Sequence, residues 1–562
     1  MSSVLQIQNL SVALPAGGDR AHAIEGVSLS IAAGQTLCVV GESGSGKSVM
    51  ATAVMGLLAK GLQVPGMQSQ GAQASERSSI QLQGEELLGA SPARLRALRG
   101  KAMGMVFQEP MTALNPVMRC GAQIAELLRT HTTWKRPRIE REVLQILERV
   151  KLPDPARMAA SYPHQLSGGQ RQRIVIAIAM VLKPALLICD EPTTALDVTT
   201  QKEILALIAQ LQREQGCAVL FITHDMGVVA EIADHVLVMH QGQAVEQGTR
   251  DDVLWRPQAA YTRMLLAAVP SMTPPAPRLR AEGIATSAPL LRAEHVGMRY
   301  SQRDWLGRAR HTQALHGAAL SLQAGETVGI VGESGSGKST LARCIMRLIA
   351  PTEGDIFWGD KPVAKLSEAR LRPLRSHIQV VFQDPNRSLN PRRRVLDSLI
   401  EGAINFGATY ADSVSLAKEL MHKVRLPEEA LQRYPSQFSG GQRQRLAIAR
   451  ALACKPQVLV ADEAVSALDV SVQAQIVQLL RDVQTELGLG LLFITHDLRV
   501  AAQLCDRVIV MHQGRIVEQG ATAQLYAQPQ QAYTQALLAA APAFTPPLEC
   551  VASGPDKSCL GG

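Results

Sequence analysis

Long apolar runs are missing from this chain of 562 residues. The longest run covers residues 174–182, nine in all, whereas a helix that spans a bilayer needs about 20 apolar residues. The N-terminal residues also lack the basic region and the long apolar stretch of a signal peptide. We therefore expect neither a membrane span nor a secretory leader, and we interpret residues 174–182 as a buried helix.

The cysteines lack the close spacing that metal and disulfide frameworks need. No two of the nine form a CxxC pair, so the sequence indicates neither a zinc site nor a disulfide scaffold, and a reducing cytosol fits. Most are expected to be small buried residues, since their neighbours are apolar. The nine are Cys38, Cys120, Cys189, Cys217, Cys344, Cys454, Cys505, Cys550 and Cys559.

Concentrated runs of one charge are also missing. The net charge of +8 is mild for this length. Such a charge would suit an anionic surface or a nucleic acid, but the lysines and arginines are dispersed, which favours a generally solvated surface. No nucleic-acid partner is therefore expected.

What the chain does have is an internal repeat. Four motifs occur twice in the same order, and three of the four pairs share one offset of 272 residues. The first members are Gly41-Glu-Ser-Gly-Ser-Gly-Lys47-Ser48, Leu166-Ser-Gly-Gly-Gln170, Cys189-Asp-Glu191 and Phe221-Ile-Thr-His224-Asp225. The second members are Gly332-Glu-Ser-Gly-Ser-Gly-Lys338-Ser339, Phe438-Ser-Gly-Gly-Gln442, Ala461-Asp-Glu463 and Phe493-Ile-Thr-His496-Asp497. The repeat indicates two similar halves, each large enough for its own core.

The repeat and the composition divide the chain. We predict a first domain over residues 1–268, a linker rich in Pro and Ala over 269–289, a second domain over 290–545 and a disordered tail over 546–562. Lys47 and Gln108 are 61 residues apart, but Lys338 and Gln383 only 45. The 16 extra residues, near 62–79, are interpreted as a surface loop, with a regulatory or partner-binding role as the alternative.

Short apolar runs precede the polar motifs in both halves. Such runs are typical of buried strands in a mostly parallel sheet, and segments of helical character, such as 201–214, separate them. The predicted fold class is therefore α/β, with helices on both faces of the sheet. The runs are residues 36–40, 185–189, 218–222, 327–331, 458–461 and 491–494.

The glycine-rich motif after the first strand of each half is the pattern of a P-loop. Glycines let backbone N–H groups converge on a phosphate at a helix N-terminus, Lys47 or Lys338 then reaches the phosphates, and Ser48 or Ser339 ligates Mg²⁺. The phosphate-binding set predicted on this pattern is Gly41, Ser43, Gly44, Gly46, Lys47 and Ser48 in the first half, and Gly332, Ser334, Gly335, Gly337, Lys338, Ser339 and Thr340 in the second.

Acidic pairs and histidines follow two later strands. In Asp190-Glu191 and Asp462-Glu463, the aspartate can bind Mg²⁺ and the glutamate can activate the attacking water. The alternative interpretation is an acidic pair at the start of a helix. His224 and His496 stand at strand ends, where ligands of α/β sheets bind. We interpret them as contacts of a terminal phosphate, with a satisfied structural histidine as the alternative.

The motif Leu/Phe-Ser-Gly-Gly-Gln indicates which family of P-loop proteins the sequence resembles. With the P-loop, the Asp-Glu pair and the late histidine, it resembles the signature of ATP-binding cassette (ABC) ATPases, and the resemblance covers nearly the whole chain. It implies two tandem P-loop cassettes, each with a mostly parallel sheet core, an antiparallel β subdomain and a helical signature subdomain. ATP and Mg²⁺ are the implied cofactors.

The family resemblance implies further roles. In that family two cassettes pack head to tail and each ATP lies between the P-loop of one and the signature of the other, so both ATP sites would form within this one chain. Lys47 would work with Ser439, Gly440, Gly441 and Gln442, and Lys338 with Ser167, Gly168, Gly169 and Gln170. Gln108 and Gln383 match the Q-loop glutamine, which senses Mg²⁺ and the transmembrane partner. Asp197 and Asp469 match the D-loop, and Glu191, Glu463, His224 and His496 are the implied catalytic residues.

The chain departs from the family pattern at two places. Family members stack adenine on an aromatic residue upstream of the P-loop; Tyr300 fits in the second half, but the first offers only Leu14. In addition, Ala464 follows the Asp-Glu pair of the second half, whereas Pro192 follows the pair of the first half. All the residues implied in hydrolysis are nevertheless present in both halves, so both sites are expected to hydrolyse ATP.

Two further repeated strings narrow the subfamily. The first string begins at the Q-loop glutamine of each half, as in Gln108-Glu-Pro-Met-Thr-Ala-Leu-Asn-Pro116. The second string lies near the end of each half, as Pro257-Gln-Ala-Ala-Tyr261 and Pro529-Gln-Gln-Ala-Tyr533. They resemble the peptide/nickel importer ATPases, and the fused chain is most similar to those that energise glutathione import. The resemblance implies two separate permease subunits, a substrate-binding protein and a peripheral place at the cytoplasmic face of the inner membrane.

Other functions stay open at this point. Dipeptides or longer peptides are alternative cargoes, and nickel is a weaker one. A tandem-cassette ATPase that acts on ribosomes is the alternative from another class, but such proteins have a long, charged helical linker between cassettes. The linker here is short, Pro-rich and weakly charged. A DNA-repair cassette is disfavoured because zinc-type cysteine pairs are absent.

Overall fold

The structure is a computed structural model of the chain. It describes residues 3–15, 20–65, 77–194, 196–276, 288–303, 309–466, 468–542 and 544. Most of the extra first-half loop near 62–79 and of the 269–289 linker, and the whole 546–562 tail, lie outside these described residues. The α/β fold class predicted from the sequence is confirmed.

The described part of the chain forms two compact units. The first holds residues up to Leu196, Thr200–Val269 and the described residues after Pro542; the second holds Asp197–Thr199 and Pro270–Ala541. Each unit contains one copy of the repeated motifs, so each can be described as one cassette.

The first unit has ten strands and eleven helices. The strands are β1 (Ser3–Ala13), β2 (His22–Ala32), β3 (Thr36–Val40), β4 (Ser79–Leu82), β5 (Glu85–Glu86), β6 (Met103–Val106), β7 (Leu186–Asp190), β8 (Ala218–Ile222), β9 (His235–His240) and β10 (Gln243–Thr249). The helices are α1 (Lys47–Val54), α2 (Pro92–Leu98), α3 (Pro110–Ala113), α4 (Cys120–His131), α5 (Arg136–Arg149), α6 (Pro155–Ala160), α7 (Gly168–Met180), α8 (Val198–Gln215), α9 (Met226–Ile232), α10 (Arg250–Trp255) and α11 (Ala260–Ala267). These counts cover only the described residues.

The second unit repeats this order. Its strands are β11 (Leu291–Arg303), β12 (Ala309–Leu322), β13 (Thr327–Val331), β14 (Glu353–Trp358), β15 (Lys361–Pro362), β16 (Ile378–Val381), β17 (Val458–Asp462), β18 (Gly490–Ile494), β19 (Arg507–His512) and β20 (Arg515–Ala521). Its helices are α12 (Lys338–Ile345), α13 (Glu368–Leu371), α14 (Pro385–Ser388), α15 (Val395–Asn405), α16 (Tyr410–Lys423), α17 (Gly440–Leu452), α18 (Val470–Leu487), α19 (Leu498–Leu504), α20 (Thr522–Ala527) and α21 (Ala532–Ala540). Short 3₁₀ helices cover Pro163–Gln165, Arg372–His377, Glu428–Gln432 and Pro435–Gln437.

Each unit has a six-stranded sheet and a four-stranded sheet. The six-stranded orders are β10-β9-β3-β8-β7-β6 and β16-β17-β18-β13-β19-β20, and in each only the edge strand β10 or β20 is antiparallel to its neighbour. The four-stranded sheets, β2-β1-β4-β5 and β12-β11-β14-β15, are antiparallel. Parallel strands place all their carboxyl ends at one sheet edge, and the polar motifs follow those ends.

The apolar runs predicted as strands are the buried centre of the six-stranded sheets. All five residues of β3, β8, β13 and β18 are buried, as a sheet covered on both faces requires. In register, Cys38 lies beside Phe221 and Gly329 beside Phe493, and the two phenylalanines are among the largest fully buried side chains. The predicted strands are therefore confirmed, with ends shifted by at most one residue.

The helices agree with the interpretation of the apolar runs. Residues 174–180 belong to α7, and most of their side chains are buried. No helix in the described ranges is long and apolar enough to cross a membrane. Seven cysteines fall in these ranges; all are free thiols, and only Cys454 is not fully buried. Cys550 and Cys559 lie outside them.

Candidate functional site

The glycine-rich loop of each cassette leaves a buried strand and enters a helix. Gly41 and Gly46 have φ angles of 149° and 101°, which side chains rarely adopt. A Cβ on Gly41 would lie 2.1 Å from the carbonyl oxygen of Met239, and one on Gly46 would lie 2.6 Å from that of Ala23. Glycine is therefore required at both positions, because the loop backbone packs directly against β9 and β2.

The second loop has the same backbone. Gly332 and Gly337 have φ angles of 147° and 104°, and a Cβ on Gly332 would lie 2.2 Å from the carbonyl oxygen of Met511. Gly44 and Gly335 both have a φ of 80° with open space around them. The loops place Ser43 and Ser334 beside the turn and begin α1 and α12 at the lysines. Thr340 lies in the first turn of α12.

The loop lysines are buried and folded back over their own loops. Lys47 Nζ donates to the carbonyl oxygens of Gly41 and Glu42, both at 2.8 Å. Lys338 Nζ donates to those of Gly332 and Glu333 at 2.7 and 2.8 Å. Burial lowers the pKa of Lys338, opposed by nearby carboxylates. Each cassette therefore holds its ammonium group at the centre of the loop, where a phosphate would be recognised.

The aspartates at the ends of β7 and β17 lie beside the loop helices. Asp190 Oδ1 accepts a 2.9 Å hydrogen bond from the hydroxyl of Ser48. Asp462 Oδ1 is buried and has no hydrogen-bond partner among the described residues. Burial raises the pKa of both aspartates, and the adjacent glutamates raise it further. Ser339, the counterpart of Ser48, follows Lys338 in α12.

The glutamates after these aspartates are braced from two sides. Glu191 Oε2 accepts from the side-chain amide of Gln108 at 2.9 Å, and Glu191 Oε1 lies 3.3 Å from His224 Nδ1. In the second cassette Glu463 Oε2 accepts from Gln383 at 2.9 Å and lies 3.5 Å from His496 Nδ1. The sequence thus brings the Q-loop glutamine, the acidic pair and the late histidine together in both units.

Both glutamates lie in a strained backbone conformation. Glu191 and Glu463 have φ angles of 46° and 51°, the left-handed region that costs about 1–3 kcal/mol for a side-chain-bearing residue. Their N–H groups donate to Ile222 and Ile494 on the neighbouring strand. The strain turns each carboxylate away from the strand direction and towards the glutamine and histidine.

The electrostatics separate the two acids of each pair. Burial is the largest single effect and raises the pKa of Glu191 and Glu463. The hydrogen bond and charge of the neighbouring histidine, together with smaller effects that include the charge of the loop lysine, outweigh burial, so both pKa values lie below the usual range. Burial is the largest single effect on the pKa of His496 and lowers it, but the hydrogen bond and charge of Glu463 together with the charge of Asp497 outweigh burial, and the net pKa is raised. A glutamate that is charged at neutral pH can accept a proton from water, as a general base must.

The Ser-Gly-Gly-Gln motifs cap two long helices. Ser167 Oγ accepts from the N–H of Gln170 at 3.3 Å, and Gln170 Oε1 accepts from the N–H of Ser167 at 3.0 Å, which is a reciprocal capping box. Ser439 and Gln442 repeat it at the start of α17. The remaining N–H groups of Gly168 and Gly440 lie in the first turn, where the helix dipole favours an anion.

The second glycine of each motif is required by packing. A Cβ on Gly169 would lie 2.6 Å from Thr200 Cγ2, and one on Gly441 would lie 2.4 Å from Val472 Cγ1. The motif helix therefore approaches the next long helix, α8 or α18, more closely than a side chain allows.

The two D-loop aspartates are placed differently. Asp197 belongs to the second compact unit, and its Oδ2 accepts a 3.4 Å hydrogen bond from the N–H of Ser334. Its Oδ1 accepts from the hydroxyl of Thr199 at 2.9 Å. Asp469 is the N-cap residue of α18 without a side-chain cap bond.

The two residues considered for adenine stacking, Tyr300 and Leu14, have different surroundings. Tyr300 lies on β11 with 37% of its surface exposed, so its ring is available for stacking. Leu14 follows β1 and packs against the core of the first unit.

Comparison with known proteins now decides the family. A family model described as ABC transporter matches residues 24–194 and 315–466, which are more than half of the chain. A second, described as the C-terminal region of oligopeptide/dipeptide transporters, matches residues 245–310 and 517–557. The chain belongs to the ABC transporter family.

Relatives of this ABC protein match along almost its whole length. The glutathione import ATP-binding proteins of Shigella dysenteriae and of Escherichia coli K12 are each 44% identical over 97% of this chain and 90% of their own. Among solved structures, cbiO1 from Clostridium perfringens, part of the ABC transporter complex cbiONQ, is 30% identical over 43% of this chain and 92% of its own, with a TM-score of 0.39. The predicted family is confirmed.

A magnesium ion fits the residues of the ABC cassettes. The described residues contain no cluster of three or more His, Cys, Asp or Glu side chains that could hold a metal, but Mg²⁺ at nucleotide sites is usually held by one or two carboxylates together with substrate phosphates. The partnerless buried oxygen of Asp462 is an acceptor of the required kind. Asp462 with Ser339, and Asp190 with Ser48, would hold the ion beside the phosphates.

Sequence reasoning missed several residues of the ABC cassettes. Thr194 and Ser466 add hydroxyl groups next to the glutamates; Thr194 Oγ1 donates to Glu191 at 3.0 Å and Ser466 lies 3.4 Å from Gln383. The capping box was readable from the Ser-x-x-Gln spacing. Tyr261 and Tyr533 lie in repeated strings, but no local signal shows that their hydroxyl groups contact the glycine-rich loops, which are more than 190 residues away.

Proposed function

We propose that this chain is the ATP-hydrolysing subunit of a bacterial ABC importer for peptides, with glutathione as its cargo. The observation that carries the proposal is the repeated set of buried loop lysine, aspartate and braced glutamate in both cassettes. The names of the relatives and the match to the oligopeptide/dipeptide transporter region support the cargo class. Dipeptides and oligopeptides are the next candidates, and nickel is a weaker one.

The residues divide the work of hydrolysis as follows. The loop N–H groups and Lys47 or Lys338 hold the phosphates of ATP. Ser48 with Asp190, or Ser339 with Asp462, would hold Mg²⁺, which would supply charge neutralisation beside the phosphates. Glu191 and Glu463 accept the proton of the attacking water. The side-chain amides of Gln108 and Gln383 orient these two carboxylates.

The histidines have two roles in this scheme. His224 and His496 hold the glutamate carboxylates in place and keep their pKa low, and they reach towards the terminal phosphate. The serines and glycines of the two signature motifs, and Asp197 and Asp469, stay predicted contacts of the nucleotides.

The proposed partners are two permease subunits and a substrate-binding protein. The loops after the Q-loop glutamines expose different side chains at the same position: Val117 is 82% exposed in the first cassette, whereas its counterpart in the second is the exposed Arg392. Such surfaces suit two different permeases, one apolar and one acidic where it docks. The proposed place is the cytoplasmic face of the inner membrane, peripheral through the permeases.

A ribosome-associated ATPase is the second candidate, and one observation weighs against it. Residues 245–310 and 517–557 match the C-terminal region of oligopeptide/dipeptide transporters. This match covers the end of both halves, which favours a transporter role for the chain as a whole.

Affinity purification of the tagged chain from detergent-solubilised membranes of its source tests the function. Two co-purifying permease proteins are expected, and the purified complex in vesicles should take up radiolabelled glutathione in an ATP-dependent way. Uptake of a dipeptide in place of glutathione would correct the cargo alone. Ribosomal proteins without permeases would overturn the importer function.

A further inference from the structure

Each cassette ends in a short helix whose tyrosine has no role in the proposed hydrolysis. Tyr261 lies in the first turn of α11 and Tyr533 in that of α21, 272 residues apart. Both belong to the repeated strings Pro257-Gln-Ala-Ala-Tyr261-Thr262 and Pro529-Gln-Gln-Ala-Tyr533-Thr534. The same spacing relates the strand-end histidines His240 and His512, so the arrangement is part of the repeat.

In the first cassette this tyrosine contacts the phosphate loop. Tyr261 Oη accepts a 3.4 Å hydrogen bond from the backbone N–H of Glu42, the residue after Gly41 in the loop. The ring of Tyr261 packs on that of His240, with centroids 4.0 Å apart and planes tilted by 30°. His240 ends β9, directly after Met239, whose carbonyl oxygen touches Gly41.

The second cassette repeats the contact. Tyr533 Oη accepts from the N–H of Glu333 at 3.3 Å, and its ring stacks on His512 with centroids 4.0 Å apart and planes at 22°. Burial raises the pKa of Tyr533 to about 12, so the phenol stays protonated and uncharged at neutral pH. Two independent copies of the geometry argue against a chance contact.

The tyrosine and the loop lysine hold the same short stretch of backbone. Lys47 Nζ binds the carbonyl oxygens of Gly41 and Glu42, and Tyr261 binds the N–H between them. Lys338 and Tyr533 hold Gly332 and Glu333 in the same way. The peptide that begins the phosphate loop is therefore fixed on both of its polar edges.

The helix that carries the tyrosine is itself anchored to the sheet. The carboxylate of Glu246 on β10 accepts from the N–H groups of Gln258 and Ala259 at 2.7 and 3.1 Å, just before α11. Glu518 on β20 accepts from Gln530 and Gln531 at 2.8 and 3.1 Å before α21. The tyrosine hydroxyl thus has a fixed position relative to the strands.

We propose that Tyr261 and Tyr533 are positioning residues that set the orientation of the Gly41–Glu42 and Gly332–Glu333 peptides for phosphate binding. The inference rests on the proposed ATP-binding function. Because a phosphate is recognised by several loop N–H groups that must converge, turning the first peptide of the loop weakens binding. The last helix of each cassette is then a structural part of its nucleotide site.

Replacing both tyrosines by phenylalanine in the full chain tests this role, because Phe keeps the ring on the histidine and removes only the hydroxyl. Loss of the hydroxyl contact with the loop at each site is expected to raise the Kd and the KM for Mg·ATP by roughly two- to tenfold, with kcat changed by less than about twofold. Isothermal calorimetry on the chain with both catalytic glutamates changed to Gln measures Kd, and phosphate release with native glutamates measures KM and kcat.

Tyr526→Phe is the matched control, since it removes a hydroxyl from the same C-terminal segment. This hydroxyl donates to the carbonyl oxygen of Leu498 at 2.6 Å rather than contacting the glycine-rich loop. A purely structural effect would make Tyr526→Phe at least as harmful. The proposal is overturned if Tyr261→Phe/Tyr533→Phe binds Mg·ATP as tightly as the Tyr526→Phe control, or if kcat falls while KM is unchanged. No binding of Mg·ATP by the wild-type chain would instead overturn the proposed function itself.

Discussion

The two cassettes hold their glutamates alike and their aspartates differently. Glu191 and Glu463 share the left-handed backbone, the glutamine donor at 2.9 Å and the histidine neighbour. Asp190 accepts a hydrogen bond from Ser48, whereas one oxygen of Asp462 has no partner among the described residues. The group proposed to act on water is thus held in the same way in both units, while the group proposed to hold Mg²⁺ is not.

A difference in the loop helices accompanies this contrast. Five residues after the loop lysine, α1 has Thr52, whose hydroxyl donates to the carbonyls of Ser48 and Val49. The same position in α12 is Arg343, whose positive charge lowers the pKa of Asp462 against the larger effect of burial. The first cassette stabilises its aspartate by a hydrogen bond and the second by a nearby cation, so equal motifs do not give equal electrostatics.

The largest expected effect comes from the shared feature. Changing both Glu191 and Glu463 to Gln should lower steady-state ATP turnover by at least about 100-fold, since a general base contributes roughly that much or more, and should leave ATP trapped on the protein. Because the two glutamates share their glutamine and histidine neighbours, each single variant should lose a similar share of the turnover. Phosphate release and nucleotide retained after gel filtration measure both effects.

The exposed Glu85, which pairs with Arg94 at 2.7 Å, provides the control for that experiment. Glu85→Gln should hydrolyse ATP like the wild type. Steady hydrolysis by the double variant would refute the role of both glutamates, and a large effect in only one single variant would mean that the cassettes are unequal despite their geometry.

A smaller, one-sided effect is expected at the adenine side. Tyr300→Ala should weaken nucleotide binding in the second cassette about 5- to 150-fold, because stacking of a base on an aromatic ring contributes about 1–3 kcal/mol. Leu14→Ala should change binding in the first cassette much less. Photolabelling with an azido-ATP, followed by proteolysis to separate the two halves, assigns the bound nucleotide to each cassette.

Tyr410, 62% exposed at the start of α16, is the matched control for Tyr300. Tyr410→Ala should label like the wild type in both halves. If Tyr300→Ala and Leu14→Ala reduce labelling of their own cassettes equally, the stacking role of Tyr300 is wrong.

The buried strands and the residues around the glutamates show which parts of the fold and the site can be predicted from local sequence. Apolar runs such as residues 218–222 predict buried strands because only a sheet covered on both faces buries every residue. The parallel arrangement then brings Gln108, Glu191 and His224 to one edge, which makes their meeting predictable. The family resemblance added roles to these residues, and the geometry agrees with their proximity.

Other features had no signal along the chain. The left-handed φ of Glu191 and Glu463 arises where the strand end must turn, and the residue type alone does not show it. The contact of Tyr261 with Glu42 joins segments 219 residues apart, beyond any periodicity. Ser48 with Asp190 and Ser339 with Asp462 are identical in sequence, so their different hydrogen bonding depends on packing rather than on the motif.

The smallest expected effect tests this last difference directly. In chelator and without nucleotide, Asp462→Asn should stabilise the chain by about 1–2 kcal/mol, because it removes the charge of a buried carboxylate, one oxygen of which has no hydrogen-bond partner among the described residues. Asp190→Asn should stabilise it less, because it weakens the bond from Ser48. Calorimetry should then show a Tm for Asp462→Asn higher by roughly 2–4 °C per kcal/mol. An equal or larger gain in stability for Asp190→Asn would mean that the hydrogen bond from Ser48 does not distinguish the two sites. The same measurement with Mg·ATP added to the wild type and both variants tests the metal role: if Asp462→Asn keeps its gain in Tm, Asp462 is not a magnesium ligand.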